Sequence, residues 1–144
     1  MGHSIVQDSA SRKLDGSSRA ARLLLAELCA LSGQDAAAQP NLELQFGAIV
    51  TRTAVEESPA GGQLTISARL PALSGPDYAW RGEGAQFGEL DCLWHADAGC
   101  HIAVRRIALA RLGDERSLMD AILETADMAQ AWYASMALDR PATC

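Results

Sequence analysis

The run Asp91-Cys92-Leu93-Trp94-His95-Ala96-Asp97-Ala98-Gly99-Cys100-His101 gathers two cysteines and two histidines and is where this sequence comes nearest to chemistry. A zinc site would need four such ligands converging tetrahedrally. Along a strand, successive side chains point to opposite faces, so Cys92 diverges from His95 and Cys100 from its neighbour His101. The spacing therefore predicts buried cysteines, surface histidines and no metal ligand set. A Cys–His nucleophile would need a base beside the thiol and a depressed thiol pKa, which spacing alone does not supply. Gly61 and Gly62 follow a Pro-containing turn and lead into a strand, whereas a phosphate cradle opens a helix. Asp120, Glu124 and Asp127 recur at helical spacing and read as a solvated face rather than as paired general acids. Trp94 and Trp132 sit in phase with apolar neighbours and read as packing; only Trp80 has no periodic role. No catalytic residue, cofactor or metal is expected.

Composition narrows the classes further. A chain of 144 residues with 49% hydrophobic residues is long and apolar enough for one core without metal or disulfide. Its net charge of −6 argues against nucleic acid as a partner, because that affinity comes from Lys and Arg neutralising phosphates. Arg105, Arg106, Arg111 and Arg116 form a local basic stretch that reads as a solvated face balancing the acidic helix after it. No stretch has the length of a membrane span, no signal peptide opens the chain, and Cys29, Cys92, Cys100 and Cys144 lack a secreted spacing. A cytoplasmic protein with reduced thiols is the expectation.

The elements that would position these residues follow from periodicity. Residues 1–16 read as a flexible arm, 17–138 as a single domain and 139–144 as a flexible tail. Ser17 or Ser18 caps a first helix carrying Ala21, Leu24, Leu25, Leu28 and Leu31 on an apolar stripe, and Gly33 stops it. Leu23 and Ala20 widen that stripe beyond what one core contact needs, so the helix calls for a second apolar partner. Leu42, Leu44, Phe46, Ala48 and Val50 alternate as one strand; Leu64, Ile66, Ala68 and Leu70 alternate as its hairpin partner. Pro71 to Gly84 reads as an extended loop, followed by strands over 87–95 and 100–109. The phase change from Ile102 and Val104 to Ile107 and Leu109 suggests a bulge at Arg105-Arg106. Asp114 caps a closing helix with Leu118, Ile122, Ala129, Trp132 and Met136 on its stripe. The fold class is α+β: an antiparallel sheet of four to five strands with an N-terminal and a C-terminal amphipathic helix.

This order resembles the class I type III secretion chaperones. The correspondence is closest where Ile107-Ala108-Leu109-Ala110-Arg111-Leu112-Gly113-Asp114 resembles the family's strand running into a Leu-Asp helix start, and where Ser117 to Leu138, with Ala131-Trp132 late in it, resembles the family's closing helix. It spans residues 17–138 as a diffuse hydrophobic pattern. One departure lies at Pro71 to Gly84, where the family carries a short helix that helps build its dimer. The resemblance implies a bacterial cytoplasmic homodimer that catalyses nothing and holds an extended N-terminal segment of a secreted effector, keeping it competent for secretion, with the secretion ATPase as a further partner. Apolar anchors would sit in grooves beside the helices, and a strand would be added at a sheet edge. Leu24, Leu25, Leu28, Phe46 and Ile49 are the candidates for the effector groove; Leu90, Cys92, Trp94, Ile102 and Val104 are those for the dimer interface. Two other readings remain: a small ligand-binding domain or enzyme with a pocket near Tyr78, Trp80 and His95, and an adaptor subunit of a larger assembly.

Overall fold

A computed structural model of the chain describes residues 13–14, 16–35, 39–71, 85–95 and 99–138, with the backbone alone at 85–87, 94–95 and 136–138. Helix α1 (Ser18–Leu31) opens at Ser17, whose side chain accepts a hydrogen bond from the Ala20 amide at 3.1 Å. That satisfies one of the amides a helix start leaves without an intrahelical partner. Helix α2 (Glu115–Leu138) is capped reciprocally: Asp114 Oδ1 accepts from the Ser117 amide at 2.9 Å, and Ser117 Oγ accepts from the Asp114 amide at 3.1 Å.

Between the helices run β1 (Leu42–Phe46), β2 (Ile49–Ser58), β3 (Gly61–Arg69), the three-residue β4 (Ala85–Phe87), β5 (Leu90–His95) and β6 (Cys100–Ala108). They form one antiparallel sheet in the order β1-β2-β3-β6-β5-β4. The α+β class with its two flanking helices is as the sequence reads. The strand inventory is finer, because the stretch read as one strand over 42–51 turns back at Gly47-Ala48. Phe46 pairs with Ile49 there, and Gly47 adopts the left-handed φ of 64° that such a two-residue hairpin loop needs. A second turn at Gly88-Glu89 separates β4 from β5 in the same way.

Both helices cover one face of the sheet. Leu24, Leu25 and Cys29 of α1 and Leu118, Ala121 and Ile122 of α2 meet Leu42, Val55, Leu64, Ile66 and Ile107 in one buried cluster. The second half of α2 puts Ala129 and Trp132 over Ile49, Ala68, Leu90, Cys92 and Ala103. Leu14, read from sequence as part of a loose arm, belongs to the first cluster: its amide donates to Gly113 O at 3.0 Å, and the Lys13 backbone forms an isolated antiparallel β-bridge with that of Asp114. The expected bulge at Arg105-Arg106 is absent, since β6 stays in continuous register with β3 from Ile102 to Ala108. Ile107 lies on the helix-covered face and Ile102 and Val104 on the opposite one, so the change of phase comes from apolar residues on both faces. Tyr78 and Trp80, with residues 72–84 of the loop expected before β4, lie outside the described residues, as do residues 1–12 and 15 of the expected arm and the tail at 139–144 with Cys144.

Gly62 sits where β3 passes under the start of α1. A Cβ there would collide with Ser18 Oγ and come within 2.9 Å of Leu109 Cδ1. Gly62→Ala is expected to cost about 1–3 kcal/mol in urea unfolding, as overpacking does. Gly113→Ala, with nothing within 4 Å of its new methyl, should stay within about 0.5 kcal/mol of wild type.

Candidate functional site

The stripe Leu24, Leu28, Leu31 climbs α1 at helical spacing and emerges from the core as it goes. Leu24 is buried, Leu28 half-buried and Leu31 84% exposed. Leu23, on the adjoining side, is 57% exposed. Helix α1 lies against β1 and β2, and β1 is the outermost strand on that side of the sheet. Leu44 and Phe46 of β1 are half-buried, and with Leu28 they pack against the first core cluster. The outcome is an apolar margin where the helix end and the last strand meet, with part of each side chain still in water.

The five residues expected to form an effector groove therefore divide. Leu28 and Phe46 lie on this margin, but Leu24, Leu25 and Ile49 are buried among the monomer's own core residues and offer no surface to a partner. Leu31 and Leu44, absent from that set, take their place. Leu31 could have been found from its i+3 relation to Leu28.

Polar geometry completes the margin. Helix α1 ends in a Schellman motif: Gly33, at φ 75°, donates its amide to Ala30 O at 3.2 Å, and the Gln34 amide donates to Cys29 O at 2.7 Å. This turn aims the Gln34 side chain at β1. Gln34 Nε2 donates to Glu43 O at 2.7 Å, and the Glu43 amide donates to Gln34 Oε1 at 2.8 Å. The N–H and C=O of one strand residue point the same way, so Glu43, and Gln45 two positions on, turn their peptide groups away from β2 toward the free edge. A cleft of about 500 Å³ lies there, lined by Gln34, Asp35, Asn41, Glu43 and Arg52. Arg52 donates to the Glu43 carboxylate across the β1–β2 pair at 3.1 Å, so the two charges largely cancel and Asp35 sets the sign of the cleft.

The dimer candidates also divide by face. Leu90 and Cys92 are buried under α2 and cannot serve an interface. Ile102 and Val104 lie on the opposite face, where the exposed Leu93 stands in register with the half-buried Ile102, but Val104 is buried at 8% exposure and offers little surface to a partner. Trp94 is in register with His101. His101, expected at the surface, is buried and meets the Trp132 ring edge to face at 5.5 Å. Cys92 and Cys100 are buried as expected, and no group of three or more His, Cys, Asp or Glu gathers as a metal site among the described residues.

Arg105 departs most from its reading as a solvated charge. Its side chain is 7% exposed and spans from the sheet to α2, donating to Glu89 at 3.3 Å, Glu124 at 3.3 Å, Thr125 Oγ1 at 3.3 Å and Ala121 O at 3.4 Å. Among the acids read as a solvated face, Asp120 and Asp127 are exposed, and Glu124 answers this arginine.

Burial pushes the Cys29 thiol above its ordinary pKa, partly offset by a backbone hydrogen bond at Asn41. The folded chain then keeps a proton that the unfolded chain releases. This contribution to stability is complete below the ordinary thiol range and is lost as pH rises from about 8.5 upward. Urea unfolding across that range should show stability falling with pH, and Cys29→Ala should remove that part of the slope.

No helix of the described residues is long and apolar enough to cross a membrane. Comparison of the chain with protein-family models, curated proteins and solved structures returns no match.

Proposed function

We propose that this chain is a secretion chaperone of the class I type III kind, which binds the extended N-terminal segment of a secreted effector in the bacterial cytoplasm. The observation that carries the reading is the margin itself: an apolar stripe leaving the core at Leu28 and Leu31, beside an edge strand with half-buried Leu44 and Phe46 and outward-turned peptide groups. An extended segment laid along β1 would turn alternate side chains toward that apolar side and leave the others beside Glu43 and Gln45. Binding would draw on buried apolar area and backbone hydrogen bonds, less the cost of ordering a disordered chain, with no reaction catalysed.

The element order supports the same reading, with one helix before the sheet, one after it, and a closing strand that runs into a capped helix start at Asp114. A second copy of the chain is the proposed partner of the sheet face that carries the exposed Leu93 and the half-buried Ile102, and the secretion ATPase is the proposed recipient of the cargo. Nucleic acid has no part in it. Copurification from the native host, followed by limited proteolysis of the complex, tests the proposal. The expected cargo is a non-globular N-terminal segment, protease-resistant only while bound, on a particle with the mass of two chains. A folded partner, or a monomer that holds a small molecule, contradicts it.

A further inference from the structure

A side-chain amide has the same donor and acceptor as a peptide group, and Gln34 presents both to one residue of an edge strand. Its Oε1 and Nε2 engage the Glu43 N–H and C=O at 2.8 and 2.7 Å, the paired bonds that a neighbouring strand would make at this position. The Schellman turn at Gly33 fixes the backbone that delivers it, so the contact is built into the end of α1. Exposed sheet edges are templates for further pairing, and folded proteins cover them. Here the cover, among the described residues, is one side chain beside an open cleft, and both hydrogen bonds lie at the exposed surface.

We propose that Gln34 is a removable stand-in for an incoming strand: an extended peptide joins the β1 edge by displacing the Gln34 amide from Glu43, and Gln34 thereby sets the affinity and selectivity of that edge. This rests on the margin beside α1 and β1 being the binding site of the proposed chaperone. The occupant is an extended peptide because the group already seated there is an amide bonded as a strand would bond. Its apolar residues face Leu28, Leu44 and Phe46, and its polar ones lie beside Glu43 and Gln45. Basic residues suit the Asp35 end of the cleft and the chain's net charge of −6. Competition holds weak or mismatched segments off the edge. A segment that adds apolar anchors to its backbone bonds outcompetes the side chain.

The test uses the full chain and a synthetic peptide of alternating leucine and serine with a lysine at each end. Amide exchange in the free protein should show the Glu43 N–H protected in wild type and unprotected in Gln34→Ala. Calorimetry should show the peptide binding Gln34→Ala about five- to tenfold more tightly than wild type, the scale of one net hydrogen bond released from competition. N-methylating the alternate amides that face β1 should abolish binding; methylating the other set should not. Equal or weaker binding to Gln34→Ala overturns the proposal, as does a peptide that binds neither protein, or one that binds through its leucines with either methylation pattern tolerated. If the peptide behaves as expected while no effector segment from the host uses this edge, the chaperone reading fails and the stand-in role of Gln34 survives. If a host segment binds the margin with an affinity unchanged by Gln34→Ala, the reverse holds.

Discussion

Leu24→Glu is expected to leave no folded chain, whereas Leu31→Glu should keep the fold and remove the affinity for an effector segment. Both residues lie on the same stripe of α1, seven positions apart, and differ in what covers them. Leu24 is buried with Leu25, Leu42, Leu64 and Ile122. A carboxylate placed there would lose its water without gaining a partner, a cost of several kcal/mol against a total stability of about 5–15 kcal/mol. Leu31 is 84% exposed, so a carboxylate at that position stays hydrated in the free chain. The penalty appears only when a partner's apolar side chain is laid over it, and Leu28→Glu should fall between the two. Circular dichroism melts read the fold, and titration with the segment reads binding. A Leu31→Glu chain that binds at wild-type affinity would move the groove away from α1.

Removing both carboxylates around Arg105, as Glu89→Gln with Glu124→Gln, should destabilise the chain more than removing the arginine itself. With both acids gone, a guanidinium that is 7% exposed keeps its charge and retains only Thr125 Oγ1 and the Ala121 carbonyl as charge-neutral partners. Leaving a buried charge without its counter-charge costs about 3–5 kcal/mol, and the amides that replace the acids recover part of it. Arg105→Met keeps an apolar stem directed at α2. The acids it abandons, 56% and 64% exposed, return to water. That change should cost about 1 kcal/mol or be neutral, because replacing a buried ion pair by a packed hydrophobe often is. Urea unfolding of the two variants ranks them. The opposite order would mean that the glutamates contribute little to holding the charge.

The legible parts of the fold were those written locally. Ser17, Gly33 and Asp114 announce helix ends because each acts on backbone groups within a few residues. The hairpin at Gly47 was hidden because Leu42, Leu44, Phe46, Ala48 and Val50 alternate straight through the turn. Its signature was Ile49, apolar in the opposite phase: a two-residue turn returns the chain with inner and outer positions exchanged, and Ile49, Thr51, Thr53 and Val55 all face inward beyond it. The role of Arg105 could not be read, since its acids lie 16 positions before it and 19 after. The same holds for the proposed binding margin. Which leucines of α1 remain in water depends on where β1 ends the sheet, and the bond from Gln34 to Glu43 joins a helix cap to a strand that periodicity treats separately.

Hydrogen exchange on the copurified complex reads where the segment lies in the intact assembly. New protection is expected at residues 28–34 and 42–46, centred on the Gln45 amide, together with protection along an otherwise fast-exchanging stretch near the effector's N-terminus. Protection confined to the strands carrying Leu93, Ile102 and Val104, with α1 and β1 unchanged, would contradict binding at the margin.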